Sequence, residues 1–457
     1  MTSVETPDGG APDTASPASF PSDFQWGVAT SSYQIEGAAA EDGKGESIWD
    51  RFCSVPGNIV DGSSGEVACD HYHRYLDDVA LISRLGLNAY RFSIAWPRVQ
   101  PNGTGPVNAA GLDFYDRLVD ALLEADIQPL PTLYHWDLPQ ALEDRGGWPD
   151  RATALAFGDY ASIVAERLGD RVTDWMTINE PYVVANLGYL TGEHAPGRTS
   201  LSDSLASSHH LLLAHGLGME AVRAAVPGAR VGIVVNFTPV VPVGDSPAAI
   251  HRQRLVDEYE NDWYSDAVAG LGYPAYATAQ LAWDQSEILD GDLELISAPI
   301  DMLGVNFYTR KMVGAFEGER TERFSETAMG WEVHPRSLGG LLRRLNERYG
   351  FPTILITENG AAMPDLERVD GRVADLDRID YYEAHLIEVA NAIVDGVPVS
   401  GYFAWSLLDN FEWAQGYGPK FGIVEVDIDT QVRTPKQSAL WYSSVATTGM
   451  IVSRSGI

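Results

Sequence analysis

The sequence predicts an α/β fold, a single (β/α)8 TIM barrel with long βα loops. Eight short apolar runs alternate with stretches of helical periodicity along the chain, and no shift of composition marks a second domain. No Gly-rich phosphate turn of the GxGxxG or GxxxxGK type follows any of these runs, which argues against a doubly wound sheet. The 457 residues would also fill two or three ordinary domains, but large barrels with insertions reach beyond roughly 400.

Residues 24–30 read as the first strand, and a long Gly-rich loop follows. Asp70 can cap a helix reaching Leu85, with Tyr75, Val79, Ile82 and Leu85 on one face. The second strand is expected at 89–96, stopped by Pro97, and a helix at 112–125. The third strand, 127–133, runs into Tyr134-His135-Trp136, and a helix at 154–168 precedes the fourth strand, 174–179. The second half keeps the rhythm with helix 204–225, strand 230–237, helix 253–268 and strand 300–307. Helix 338–349, strand 353–357, helix 381–394, strand 399–405 and helix 437–445 complete it. Loops lengthen after strands one, six and eight, on the carboxyl side where such barrels build their sites. The barrel thus takes residues 20–450, with tails at 1–19 and 451–457. The first tail is rich in Pro, Gly, Ser, Thr and acids and is expected to be disordered.

Charge excludes several partner classes. With 64 acidic against 31 basic residues the net charge is −33. Nucleic acid and anionic membrane both require basic surface, so neither is expected as a partner. No apolar run approaches the roughly 18 residues of a membrane span, and no apolar h-region marks a signal peptide. Cys53 and Cys69 form neither a metal spacing nor a disulfide framework and suit a reducing compartment. A cytoplasmic address is expected. His71 and His73 point to different faces of a helix, and His209 and His210 are adjacent on another, so no metal is expected at either pair.

Two strands of the same build carry the chemistry. Thr353-Ile354-Leu355-Ile356-Thr357-Glu358-Asn359-Gly360 and Trp175-Met176-Thr177-Ile178-Asn179-Glu180-Pro181 each lead an apolar strand into a glutamate. In a closed barrel the carboxyl ends of strands four and seven face one mouth, so Glu180 and Glu358 can converge. Such a pair suits cleavage of a glycosidic bond, one carboxyl protonating the leaving oxygen and the other acting as nucleophile or base. A spacing of about 5–5.5 Å gives retention of configuration, and a wider one gives inversion. Gln34, His135, Asn179, Tyr308 and Glu412 can bond a ring of hydroxyls, while Trp405 and Trp413 offer an apolar face for the sugar. The rival reading is a sugar-binding barrel without catalysis. Its mark would be loss of one carboxylate, and both are present.

Thr177-Ile178-Asn179-Glu180-Pro181 and Ile356-Thr357-Glu358-Asn359-Gly360 resemble the two signatures of family 1 glycoside hydrolases, the β-glucosidases. Phe24-Gln25-Trp26-Gly27 with Gln34 resembles that family's opening, and Tyr134-His135-Trp136-Asp137-Leu138-Pro139 its third-strand motif. Trp405-Ser406-Leu407-Leu408-Asp409-Asn410-Phe411-Glu412-Trp413 resembles its eighth. The resemblance covers residues 20–445. It implies Glu180 as acid/base and Glu358 as nucleophile with retention, Asn179 at the 2-hydroxyl and Tyr308 orienting Glu358. It places Gln34, His135, Trp405, Glu412 and Trp413 around the non-reducing sugar, and Trp136 and Trp331 are candidate aglycone contacts.

The implied activity is exo-hydrolysis of terminal β-glucosyl residues from cellobiose, short oligosaccharides and aryl or alkyl glucosides. Transfer to alcohols and side activity on β-galactosides and β-fucosides go with it. Members that lack the acid/base glutamate or accept 6-phosphorylated sugars differ at these positions; here Glu180 is present, and Glu412 is expected to repel a phosphate. No metal or organic cofactor is implied. Exposed Trp and Tyr near the mouth leave room for a homo-oligomer. Asn359-Gly360 reads as backbone punctuation, and Lys311-Met312 with the acidic loop 316–326 as solvated surface.

Overall fold

The computed structural model of the protein describes residues 19–315 and 325–451. The expected tails lie outside these residues except for Ser19 and Ile451, as do positions 316–324 of the acidic loop. Ser19 is bridged antiparallel to Met450 and Ile451 is buried.

Eight parallel strands close the barrel: β1 (Gln25–Ala29), β2 (Ala89–Ser93), β3 (Gln128–Tyr134), β4 (Asp174–Asn179), β5 (Arg230–Phe237), β6 (Met302–Phe307), β7 (Ile354–Asn359) and β8 (Val399–Trp405). Each pairs with its sequence neighbours, and β1 meets β8 from Gln25↔Gly401 to Ala29↔Trp405, so the sheet has no open edge. The main helices between strands are α1 (His71–Arg84), α2 (Ala109–Glu124), α3 (Arg151–Leu168), α4 (Leu201–Ala225), α5 (Pro247–Asp257), α6 (Pro335–Tyr349) and α7 (Leu376–Val394). Helix α8 (Gln437–Thr448) follows β8. A π-helical turn, Glu258–Asp262, carries α5 on into Trp263–Val268.

Six helices begin three to six residues before their apolar periodicity starts, as α3 does at Arg151 rather than 154. The first turn of a helix is held by caps and solvent rather than by core contacts, so hydrophobic spacing does not mark it. The side chains of Asp150, Ser200 and Ser246 accept from Ala152, Asp203 and Ala249 backbone N–H groups at 2.9, 3.2 and 3.2 Å. Asp70 does not cap α1 as expected. It adopts φ +52°, and its carboxylate turns instead to His73 Nδ1 (2.6 Å) and Arg74 Nε (3.1 Å). Strand β2 also stops short of its expected end, because Trp96–Val99 forms a helical turn with Pro97 in its first positions.

Inside the barrel, Ala89, Leu130, Met176, Val234, Met302, Leu355 and Phe403 form one apolar cluster. Phe403 fits there because Gly27 faces it: a Cβ on residue 27 would sit 2.4 Å from the Phe403 ring. All tryptophans and tyrosines fall within the described residues, and none is exposed. At the cavity mouth Trp136, Tyr308 and Trp331 are half-buried. No helix among the described residues is long and apolar enough to cross a membrane.

Candidate active site

Strict alternation along β7 would put Glu358 on the same face as Ile356, away from the barrel axis. The strand avoids this with an irregular register: Val305 pairs Ile356, but the next β6 residue, Asn306, pairs Glu358. Strand β4 does the same, since Met176 pairs Gly232 while Asn179, three residues on, pairs Val234 two residues on. One extra residue in each strand re-aims its end, as β-bulges do beside active sites. Asn179 and Glu358 thereby turn inward. Glu180 follows with φ +49°, a left-handed backbone that a non-glycine residue adopts at a cost.

The two carboxyl groups then meet very different neighbours. Arg91 Nη1 donates to Glu358 Oε1 and Tyr308 OH to Glu358 Oε2, both at 2.6 Å. Burial and the Glu358 charge hold the Tyr308 phenol far above its ordinary pKa, so it stays a donor. Glu180 Oε1 accepts from Asn306 Nδ2 at 2.5 Å, and no cation among the described residues bonds it directly. Burial first, and the neighbouring Glu358 charge second, raise the Glu180 pKa well above the usual carboxylate range.

A short relay joins the two. Asn179 Oδ1 accepts from Arg91 Nη2 at 2.6 Å and from Asn306 Nδ2 at 3.2 Å, and Asn306 Oδ1 accepts from Thr357 Oγ1 at 2.8 Å. These bonds fix the Asn179 amide, so its Nδ2 is the donor to His135 Nε2 at 3.1 Å. His135 must then carry its proton on Nδ1. Burial and Arg91 keep the ring neutral by holding its pKa well below the usual value. Because the Asn306 bond favours ionised Glu180, Asn306→Ala should raise that pKa further. The alkaline limb of kcat/KM, read from a pH profile, is then expected to move to higher pH; an unmoved or lowered limb would refute this coupling.

A cavity of about 670 Å³ opens at the carboxyl ends of the strands. Of the residues picked out in the sequence, Glu180, Glu358, His135, Tyr308, Trp405, Glu412, Trp413, Trp136 and Trp331 all line it. His135 stacks at 6.0 Å between ring centroids with both Trp405 and Trp413. Trp136 packs 4.6 Å from Trp413 and donates through Nε1 to Asn179 O at 3.0 Å. Glu412 is pushed up to about 8 by burial and then by Glu358.

Gln34 and Asn179 do not border the cavity. Gln34 is fully buried, with Nε2 donating to Asn410 Oδ1 (3.0 Å) and Phe411 O (2.9 Å) and more weakly to Glu412 Oε2 (3.4 Å). Lys311 and Met312, expected at the surface, are partly exposed at the outer cavity, where Lys311 pairs with Glu260. Asn359 is more than punctuation. Its Nδ2 donates to Phe307 O and Tyr381 OH at 2.6 and 3.0 Å, tying β7 to β6 and α7. A Cβ on Gly360 would lie 1.8 Å from Trp405 O, so only glycine lets the chain leave Glu358 along this path.

Sequence reasoning missed Arg91 and Asn306. Arg91 carried a signal: one charge within the apolar run Ala89-Tyr90-Arg91-Phe92, a position that burial tolerates only with a partner. The histidines set aside as structural are held by protein groups. His71 Nδ1 bonds Asp78 at 2.8 Å, and His209 bridges Tyr273 OH and Asp292 at 2.8 and 3.1 Å.

The family model for glycosyl hydrolase family 1 matches residues 16–450. Beta-glucosidase A of Acetivibrio thermocellus is 46% identical over 437 residues, 93% of this chain and 98% of that protein. The bifunctional beta-D-glucosidase/beta-D-fucosidase of Bifidobacterium breve is 45% identical, covering 93% and 97%. The structure of the beta-glucosidase from Thermotoga maritima in complex with glucoimidazole superposes with a TM-score of 0.90 at 43% identity, covering 95% of this chain and all of that one. A family match running from one end of the barrel to the other, over a fold that brings both glutamate motifs to one mouth, shows that the chain belongs to glycosyl hydrolase family 1.

Proposed function

We propose that the protein is a retaining exo-β-glucosidase acting on cellobiose, short oligosaccharides and aryl or alkyl β-glucosides. The observation that carries the reading is the asymmetry of the two carboxyl groups. Glu358 has a donor on each oxygen, Arg91 and Tyr308, whereas Glu180 is bonded by a neutral amide and held to its proton by burial. Glu358 is suited to attack and Glu180 to protonate. One short relay, from Glu358 through Arg91, Asn179 and Asn306 to Glu180, supports the close spacing that retention needs.

In the first step the Glu358 carboxylate bonds to the anomeric carbon while the glycosidic C–O bond breaks. The departing oxygen takes the Glu180 proton. Esterified Glu358 no longer carries charge, so one cause of the raised Glu180 pKa disappears and Glu180 becomes the better base. It removes a proton from water as the water oxygen displaces the ester, which restores both carboxyl groups. An alcohol in place of water gives transfer.

His135, Trp405, Glu412 and Trp413 surround the terminal sugar, with Gln34 and Asn179 acting from behind through their hydrogen bonds to Glu412 and His135. The case against 6-phosphosugars changes form: with a pKa near 8, Glu412 is largely protonated at neutral pH. A neutral sugar is favoured instead because, among the described residues, the Gln34 amide and no cation is bonded to that carboxyl. The Bifidobacterium breve relative, named for both activities, supports side activity on β-fucosides, and β-galactosides are a further candidate. Proton NMR of a fresh hydrolysis mixture tests the mechanism. β-Glucose as the first-formed anomer is expected, and α-glucose would mean inversion.

A further inference from the structure

The outer cavity is walled by a segment that the chemistry above does not use. After β6 the chain passes through Tyr308, Thr309 and Arg310, and the segment 325–333 returns beside it. That segment is a tight turn: Gly330 N donates to Thr327 O, Thr327 N to Trp331 O and Val333 N to Ser325 O, at 2.9, 2.9 and 2.8 Å. Its tip is tied beyond β7 by Ala328 N donating to Ala362 O at 2.9 Å. The Trp331 ring stands on the cavity wall, 5.3 Å from Tyr308 and 6.0 Å from Phe421 between centroids.

The residue that fastens this turn to the barrel is Glu332. Its carbonyl accepts from Thr309 Oγ1 at 2.8 Å, and its carboxylate takes both prongs of Arg310, Nε at 3.0 Å and Nη2 at 2.8 Å. The two side chains are only 14% and 9% exposed, so solvent screens the pair weakly. A planar two-bond pair fixes direction as well as distance. Trp331 is adjacent to Glu332 in the chain, so that direction sets the attitude of the indole over the outer cavity. Tyr308, which the indole packs against, is the donor to Glu358.

We propose that Arg310 and Glu332 are positioning residues that hold Trp331 as a fixed platform for the ring of the leaving group, so that this ion pair sets aglycone discrimination. The proposal rests on the β-glucosidase reading. A ring or second sugar beyond the scissile bond gains from the platform, whereas a one-atom leaving group does not reach it. Loss of one partner lets the indole wander, and the ordering of the leaving group is lost with it.

The experiment compares β-glucosyl fluoride, which has no ring beyond the scissile bond, with cellobiose. For Glu332→Gln, kcat/KM on cellobiose is expected to fall about tenfold more than on the fluoride, mainly through KM. Trp331→Ala should show the same bias, and adding Glu332→Gln to it should change the bias no further, because the pair acts through the indole. Arg310→Lys, which keeps the charge but not the two-pronged geometry, should fall between wild type and Glu332→Gln. It replaces Glu332→Gln if that variant does not fold. Equal losses on both substrates, or an undiminished Glu332→Gln effect in the Trp331→Ala background, would overturn the positioning role while leaving the β-glucosidase reading intact. A wild-type protein that cleaves neither substrate would overturn both.

Discussion

Glu358→Gln is expected to lower kcat on a nitrophenyl β-glucoside by on the order of 10⁵, the scale of losing a covalent nucleophile. The amide keeps the shape of the carboxyl and can still accept from Arg91, so the fold should persist and the loss should be chemical. The variant also removes a negative charge beside two other acids. Glu358 is the second cause raising Glu180 and Glu412 after burial, so both pKa values should fall. Carbon-13 NMR titration of the labelled glutamate carboxyls reads this directly. Turnover within about tenfold of wild type would remove Glu358 from the nucleophile's role.

Glu180→Gln should give a loss that depends on the leaving group. Cellobiose departs as a poor alkoxide and needs the proton, so kcat/KM is expected to fall by about 10³–10⁴, the range of a positioned general acid. A dinitrophenyl glucoside departs without help. For it the loss in kcat/KM should be far smaller, while kcat drops because water in the second step has lost its base. The alkaline limb of the pH profile should vanish as well. In the wild type, activity is expected to fall as pH rises through the raised Glu180 pKa, because the acid form is the working form. That limb belongs to the coupled pair of carboxyls rather than to Glu180 alone. Equal losses on both substrates would count against the acid role.

Most of the barrel was legible because period and composition are local properties. The strand at 174–179 was placed on its observed bounds, since a short β-branched run between turn residues has few other uses. Hydrophobic spacing marks helix starts late, as in α6, which begins at Pro335 rather than 338, because the first turn is stabilised by caps that this spacing does not register. Lys311 keeps the solvent exposure expected of it, but its partner Glu260 is brought near by a different crossover, which the local stretch of sequence does not register.

By itself the sequence determined the strand-helix alternation, the two glutamates at strand ends and the aromatic and polar residues gathered near them. These follow from residue types and short spacings. Only the tertiary structure decided which way the glutamates point, since alternation alone sends Glu358 outward and the extra residue opposite Asn306 turns it in. It also decided that Arg91, from β2, serves both Asn179 and Glu358, and that Glu412 shares their field. Register and charge coupling depend on residues far apart in the chain. Barrel closure is what brings them within a hydrogen bond of one another.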